Sequence, residues 1–342
     1  MGFTILEKIP TSDEIRARYP LTRVLAALKK QRDAAIESVL KGTSDRFILV
    51  IGPCSADNED AVCAYTEKLG RIQEQVADRL VLIPRIYTNK PRTTGSGYKG
   101  MGHQPDPEKE PDMARGLIAL RHMHIRSLSE SGLTAADEML YPENHTYLDD
   151  VLSYVTVGAR SVENQHHRLT ASGVDQPVGM KNPTSGDFRV MLNAIDAAQH
   201  GHVFAYQGNA VRTSGNTLAH AILRGAVNKH GQSQANYHYE DLNLLFRMYQ
   251  EQPRSFPACL IDTNHANSDK QFAEQPRIAM EVLHSRRLSG EIRQLVKGLM
   301  IESYLEEGKQ TVGDHVFGRS ITDPCLGWAA THDLILRIAD QV

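Results

Sequence analysis

The chain has 342 residues and a formal net charge of -3, from 38 Lys and Arg against 41 Asp and Glu. The absence of a net positive charge argues against nucleic acid as a main partner, and the longest apolar run, FILVIG, is too short to cross a membrane. No signal peptide is evident at the N-terminus, and the four cysteines form no CxxC pair. We therefore expect a cytoplasmic globular protein without nucleic-acid or membrane partners.

The first part of the chain is predicted to be helical. Over residues 11–42, acidic residues follow Thr11, apolar residues recur at helical spacing, and Gly42 ends the pattern. Pro20 must interrupt that helix. We therefore predict an N-terminal helical extension at residues 1–45, with a possible role in oligomer contacts, before a catalytic domain at residues 46–342.

Beyond the extension, short apolar runs alternate with longer amphipathic segments. Amphipathic helical patterns lie between most of the eight predicted strands, and this alternation predicts an α/β fold, the (β/α)8 TIM barrel. A doubly wound open sheet is the alternative, but no GxGxxG follows the first strand. The predicted strands are residues 46–55, 80–87, 133–140, 154–160, 177–182, 202–207, 258–265 and 295–303.

Polar side chains stand at the ends of these predicted strands, where a TIM barrel builds its active site. On the sixth strand the predicted end is Tyr206 and Gln207, and the loop after it carries Arg224. Charged residues are rarely buried without a partner, so their convergence indicates a functional rim. The other seven strand-end residues are Cys54, Arg85, Glu138, Arg160, Lys181, His265 and Glu302.

Six cations on or beside this rim suggest substrates with several anionic groups, such as phosphorylated small molecules. Each of them alone would more often be part of a surface salt bridge. The six are Arg85, Lys90, Arg92, Arg160, Lys181 and Arg224.

Cys54, His265, Glu302 and Asp323 could together bind a divalent transition metal. Zn, Fe, Mn and Co would all tolerate this mixture of thiolate, imidazole and carboxylate ligands. Each residue also has a structural alternative, such as a core thiol, a hydrogen-bonded core histidine or a helix cap. A third possibility is that Lys181 forms a Schiff base, as the lysines of barrel aldolases do.

The motifs IGPCS, KPRT, GARSVENQ, PVGMKN, NHANSDKQF, MIES and GRSITDPCLGW occur in this order along the chain. In these motifs the chain resembles the class I 3-deoxy-D-arabino-heptulosonate 7-phosphate (DAHP) synthases, in the branch with the feedback-inhibited microbial enzymes. The resemblance extends from about Arg46 to near the C-terminus. It implies a metal-dependent transferase (EC 2.5.1.54) that condenses phosphoenolpyruvate with erythrose 4-phosphate and water, releasing phosphate, at the entry to the shikimate pathway.

The resemblance also implies roles for individual residues. Cys54, His265, Glu302 and Asp323 match the metal ligands, with Mn2+ the expected ion and Fe2+, Co2+ or Zn2+ the alternatives. The expected phosphoenolpyruvate ligands are Arg85, Lys90, Arg160, Lys181 and Arg224, and the expected erythrose 4-phosphate ligands are Lys90, Pro91, Arg92, Thr93 and Asp323.

For proton transfer, the resemblance makes Lys90 and His265 candidate donors to the developing alkoxide. Lys181 and Glu138 are weaker candidates for activating water. The family also suggests a homodimer or a homotetramer, whose contacts would involve the N-terminal segment.

Three other functions remain as alternatives. An octulosonate 8-phosphate synthase uses the five-carbon acceptor arabinose 5-phosphate, but its loop has an Asn-Arg-Ser type sequence where this chain has Pro91, Arg92 and Thr93. A phosphosugar-binding regulator would not need the metal set. A Schiff-base aldolase would work without metal and would be trapped by borohydride.

Feedback inhibition is expected to be weak or altered. The segment at 202–213 is shorter than the hairpin of the feedback-inhibited relatives, and Asp175 replaces the small hydroxylated residue usual near their effector. A carboxylate there should repel the carboxylate of an amino-acid effector.

Overall fold

The computed structural model describes residues 2–342. Ten helices lie in that part of the chain, and several begin at a side-chain cap, as α3 does where Asn58 Oδ1 accepts from Ala61 N at 2.9 Å. The helices are α1 (Ser12–Arg18), α2 (Arg23–Leu40), α3 (Glu59–Val76), α4 (Met113–Ser131), α5 (Gln165–Ala171), α6 (Phe188–Gln199), α7 (Tyr239–Gln250), α8 (Gln275–Leu288), α9 (Gly290–Leu295) and α10 (Trp328–Ala339).

The same part of the chain contains twelve strands. Short 3-10 turns also occur at Pro142–Tyr147, His265–Asn267 and Phe272–Glu274. The strands are β1 (Phe47–Gly52), β2 (Leu80–Pro84), β3 (Ala136–Glu138), β4 (Tyr154–Val157), β5 (Val178–Lys181), β6 (Val203–Tyr206), β7 (Asn209–Arg212), β8 (His220–Leu223), β9 (Ala226–Val227), β10 (Ser233–Gln234), β11 (Cys259–Asp262) and β12 (Val296–Glu302).

Eight of the strands form one parallel sheet in the order β2-β1-β12-β11-β8-β5-β4-β3. The two edge strands of this order, β2 and β3, are joined by a parallel bridge between Arg85 and Ala136. There Ile86 N donates to Ala136 O at 2.9 Å. Helices cover the outside of the sheet. The expected (β/α)8 TIM barrel is therefore confirmed.

The sequence-based assignment of the sixth barrel strand was wrong. Residues 203–206 pair antiparallel with β7 in a separate hairpin, and the barrel strand is β8, which is fully buried. The side chains of β6 are exposed or half-buried, as expected for a strand outside the barrel. Its turn places Gln207 and Gly208 at positive φ, the backbone that a two-residue hairpin loop requires.

The barrel interior is a packed core. Ile48, Val50, Val81 and Met300 are among the inward-facing residues, and α2 adds Ile36, Val39 and Leu40 to the same cluster. The N-terminal helices are separated at Pro20, since α1 ends at Arg18 and α2 begins at Arg23. α2 thus closes the N-terminal end of the barrel, and the opposite end remains available for a site.

Candidate active site

Chemically reactive side chains lie at the C-terminal end of every barrel strand. Each is either the last residue of its strand or at most three residues beyond it. Arg224 directly follows β8, so the corrected sixth strand places it in the same ring as the others. In strand order these residues are Cys54, Arg85, Glu138, Arg160, Lys181, Arg224, His265 and Glu302.

Most of the predicted site residues surround one cavity of about 130 Å3. Thr93 is not among its lining residues and is exposed in the adjoining turn. Cys54 and Glu302 are buried next to the cavity, where they contact Lys90 and Arg85. The predicted residues that line it are Arg85, Lys90, Pro91, Arg92, Glu138, Arg160, Lys181, Arg224, His265 and Asp323.

Three of the four candidate metal ligands form a compact group. Cys54, Glu302 and Asp323 each offer one ligand atom, and these atoms all lie within 4.8 Å of one another. Bonds of about 2.0–2.3 Å from one transition-metal ion could reach all three atoms after a small contraction. A thiol and two carboxylates also provide suitable ligands for such an ion.

His265, the fourth candidate ligand, lies beside this group but is not part of it. Its Nε2 atom is 3.8 Å from Glu302 Oε1, and its Nδ1 atom is 2.8 Å from Asp262 Oδ2. Burial lowers the pKa of His265, which favours the neutral imidazole that metal binding requires. Asp262 holds Nδ1, and this leaves the lone pair of Nε2 for an ion.

Lys90 connects the candidate metal group with the cavity. Its Nζ donates to Cys54 Sγ at 2.6 Å. Burial by itself lowers the pKa of Lys90, but the neighbouring Cys54 and Glu302 outweigh it and the pKa is raised. Lys90 therefore keeps its proton, whereas burial and the nearby carboxylates raise the pKa of the Cys54 thiol.

Buried carboxylates pair with two of the cavity cations. Arg85 Nη2 lies 3.0 Å from Glu302 Oε1, with the two side chains 2% and 1% exposed. Lys181 Nζ donates to Asp262 Oδ2 at 3.0 Å, and His265 and Lys181 together outweigh burial to hold the pKa of Asp262 well below its usual range. These pairs fix the two cations inside the protein.

Other cavity groups remain available for a ligand. Arg224 Nη1 is buried and has no hydrogen-bond partner in residues 2–342, and burial lowers the pKa of this side chain. Glu138 fits beside β4 because Gly158 has no side chain; a Cβ there would lie 2.0 Å from Glu138 Oε1. Arg92 uses its Nε to hold Tyr98 O at 2.7 Å.

Comparison with known proteins identifies the family. The family model described as "DAHP synthetase I family" matches residues 24–335. Phospho-2-dehydro-3-deoxyheptonate aldolase from Haemophilus influenzae is 34% identical over 333 residues, which cover 95% of this chain and 89% of that protein. The Phe-sensitive protein of that name from Escherichia coli K12 is 35% identical over 334 residues, 95% of this chain and 92% of that protein.

A solved structure agrees with these sequence matches. The structure of phospho-2-dehydro-3-deoxyheptonate aldolase from Francisella tularensis has a TM-score of 0.92 at 27% identity, covering 100% of this chain and 98% of that chain. The chain belongs to the DAHP synthetase I family.

As a member of the DAHP synthetase I family, the chain condenses phosphoenolpyruvate with erythrose 4-phosphate and water to give DAHP and phosphate, the first step of the shikimate pathway. Enzymes of this family depend on a metal ion, and the Cys54, Glu302 and Asp323 group is a possible site for one. Across residues 2–342, the structure has no helix with the length and apolar character needed to span a membrane.

Sequence reasoning missed several residues that organise this DAHP synthase site. Asn264 Nδ2 donates to Glu302 Oε2 at 2.5 Å, and Gln275 Nε2 donates to Glu302 O at 2.9 Å. Lys270 Nζ donates to Asp323 Oδ1 at 3.0 Å. Asp262 was the most recognisable of them, because a carboxylate within a buried predicted strand needs a cationic partner.

Proposed function

We propose that the cavity at the C-terminal end of the barrel holds both phosphorylated substrates and one divalent metal ion. The observation that carries this proposal is the shared position of the cations and the compact Cys54, Glu302 and Asp323 group around one cavity. A metal-free phosphosugar-binding regulator would have no use for that group.

Five cations form the proposed phosphoenolpyruvate site. Arg85 and Lys181 are already fixed by Glu302 and Asp262, so they can bind the substrate with little loss of side-chain freedom. The unpartnered Nη1 of Arg224 supplies a further donor. The five residues are Arg85, Lys90, Arg160, Lys181 and Arg224.

The proposed erythrose 4-phosphate site is the loop of Lys90, Pro91, Arg92 and Thr93, together with Asp323. Arg92 offers its guanidinium to the acceptor phosphate, because the bond from Nε to Tyr98 O leaves the terminal nitrogens free to donate. Thr93 is exposed at the mouth of the cavity and would contact this substrate from the solvent side.

The proposed metal ligands are Cys54, His265, Glu302 and Asp323, with Mn2+ the expected ion. When bound, a divalent ion supplies a Lewis acid beside the aldehyde. Lys90 and Lys270 outweigh burial and lower the pKa of Asp323 to about 2, so that carboxylate is ionised and ready to bind a cation.

Lys90 is the proposed proton donor. Its raised pKa keeps an ammonium group beside Cys54, where it can protonate the aldehyde oxygen as C3 of phosphoenolpyruvate bonds to the aldehyde carbon. His265 is the second candidate for this step. Lys181 and Glu138 are the proposed groups for the water that adds at C2, after which phosphate leaves through C–O cleavage.

The test follows phosphoenolpyruvate by its ultraviolet absorbance. Erythrose 4-phosphate and arabinose 5-phosphate are offered separately, each with and without a chelator. We expect loss of absorbance with erythrose 4-phosphate only, abolished by the chelator and restored by Mn2+.

The other outcomes separate the alternatives. Consumption with arabinose 5-phosphate would assign the five-carbon acceptor instead. Activity that resists the chelator and is trapped by borohydride would favour imine chemistry at Lys181. If folded and metal-loaded protein consumes no phosphoenolpyruvate with either sugar, the proposed substrates would be contradicted.

We also propose that feedback inhibition by Phe, Tyr or Trp is weak or altered. A cavity of about 470 Å3 lies between the β6–β7 hairpin and α5, and Asp149, Asp150 and Asp175 line it. Asp149 and Asp150 are paired with Arg16 and Arg121, whereas Asp175 forms no ion pair within residues 2–342 and opposes the carboxylate of an amino acid. Inhibition curves with each amino acid test this proposal, and strong inhibition by any of them would contradict it.

A homodimer or homotetramer in the cytoplasm is the proposed state of the chain. Phe3, Ile5 and Leu6 are at least 91% exposed, and Val203 on the hairpin is 61% exposed, which supports a role in subunit contacts. We keep the proposed division into an extension at 1–45 and a catalytic barrel at 46–342. Light scattering on the full chain tests the oligomeric state, and a monomer would contradict it.

A further inference from the structure

A second cavity, here called the basal cavity, lies at the opposite end of the barrel from the active site. Its volume is about 330 Å3, and it opens where β1, β11 and β12 begin. Residues at this end of a TIM barrel usually serve stability rather than chemistry. Its lining residues are Leu40, Lys41, Gly42, Ser44, Asp45, Arg46, Phe256, Pro257, Arg286, Gly290, Arg293, Gln294 and Lys297.

The lining of the basal cavity is strongly cationic. Five lysines and arginines line it, and Asp45 is the one carboxylate among its lining residues in the described chain. Lys41 is paired with Glu37 on α2. The other four cations, Arg46, Arg286, Arg293 and Lys297, form no ion pair within residues 2–342.

Arg286 is the central member of this group. Its guanidinium carbon lies 4.5 Å from the centre of the Phe47 ring, which fixes the side chain against the start of β1. Its Nε atom is buried without a hydrogen-bond partner in the described part of the chain. A buried donor left unpaired is costly, so this position is suited to an acceptor supplied from outside the chain.

The cations also repel one another. Burial and then the charge of Arg293 lower the pKa of Arg286 to about 10. Burial and then Arg286 lower the pKa of Lys297. The Nζ atom of Lys297 packs close to Gly42, where an added Cβ would lie 3.2 Å from it. A bound anion would relieve this repulsion and satisfy the open donors.

We propose that the basal cavity binds a small phosphate compound with two or more negative charges. Its volume falls within the range of small-molecule sites, and four unpaired cations suit more than one anionic group. Arginine forks and a lysine ammonium are the donors that bind phosphate in proteins. The site is independent of the active-site cavity and of the function proposed for it.

The test is calorimetric titration of the full-length protein with pyrophosphate. Any binding at the active site is common to the proteins compared, because none of them is changed there. The variant Arg293→Gln/Lys297→Gln removes two cations from the basal cavity without touching the active site. Arg189→Gln/Arg247→Gln removes two exposed charges from α6 and α7 and serves as the matched control.

We expect the parent and the control to bind pyrophosphate equally at the basal cavity, and the cavity variant to bind it there about tenfold or more weakly. Equal binding by all three proteins, or binding by none, would overturn the proposal. Without anion, the cavity variant should unfold at the same or a higher temperature, because repulsion between cations is removed. A large fall in its Tm would mean that these cations serve the fold, and would also overturn the proposal.

Discussion

The two ends of this barrel both collect cations, but only at the active-site end are some of them paired with buried carboxylates. At the active-site end, Arg85 and Lys181 lie 3.0 Å from the carboxylates of Glu302 and Asp262. At the basal end, burial and then Arg293 lower the pKa of Arg286, burial and then Arg286 lower that of Lys297, and neither side chain forms an ion pair in the described chain. Pairing fixes buried cations before a substrate arrives, whereas the unpaired basal cations are the ones we propose to bind an anion from solution.

Breaking the Arg85–Glu302 pair should have the largest effect. Glu302→Gln removes a proposed metal ligand and leaves buried Arg85 without its counter-charge. We expect kcat to fall by more than about 1,000-fold and stability to fall by about 3–5 kcal/mol. Steady-state rates, metal stoichiometry and denaturant unfolding measure these changes.

Glu306→Gln is the control for this variant, since Glu306 is exposed on the following loop. A Glu302→Gln enzyme that still binds one metal ion per chain and keeps most of its activity would contradict two claims. These are the role of Glu302 as a metal ligand and the importance of its pair with Arg85.

Breaking the Lys181–Asp262 pair should have the next largest effect. Lys181→Met leaves Asp262, at 1% exposure, with His265 as its remaining partner, and we expect kcat/KM to fall by about 100-fold or more. Lys181→Arg keeps the positive charge and should recover part of the activity. Borohydride should not inactivate the parent enzyme in the presence of substrates; inactivation, with no recovery in Lys181→Arg, would support a Schiff base instead.

Arg92 tests a rim cation that has no carboxylate partner in the described chain. In Arg92→Gln we expect KM for erythrose 4-phosphate to rise by about 10- to 100-fold, as one charged hydrogen-bonding pair is lost. KM for phosphoenolpyruvate should change little. Arg115→Gln, outside the cavity, is the control, and an equal rise of both KM values would argue against a separate acceptor site.

The barrel and most of its rim could be predicted from the sequence because buried parallel strands give apolar runs that end in polar residues. The β6 segment misled this reasoning, since VFAY has the composition of a buried strand although half of its side chains are exposed. Only the pairing with β7 shows that it lies outside the barrel.

The supporting residues of the site were harder to predict. Asn264 and Gln275 hold Glu302 from different segments of the chain, and nothing local in the sequence indicates those contacts. The positive φ of His265, 47°, which aims its ring between Asp262 and Glu302, is likewise set by tertiary structure. Sequence therefore identified the reactive groups, and the structure was needed for their partners.

Asp57 is the reverse of the unpaired cations, because it is a carboxylate with a buried oxygen that lacks a partner. Its substitution has the smallest predicted effect. Asp57 follows β1, and its Oδ1 atom is buried without a hydrogen-bond partner in residues 2–342. Burial raises the pKa of Asp57 to about 7. Between about pH 4 and pH 7 the folded chain therefore holds a proton that the unfolded chain has lost, and this group's contribution to stability falls as pH rises.

Asp57→Asn should remove that pH dependence. We expect the Tm of the variant relative to the parent to rise by about 2–6 °C between pH 5 and pH 8, because the amide never has to ionise in its buried position. Asp78→Asn, at a side chain that is 76% exposed, should show no such change. A constant difference in Tm across this pH range would mean that Asp57 is ionised in the folded protein, and that a buried carboxylate here, unlike Glu302 and Asp262, needs no cation.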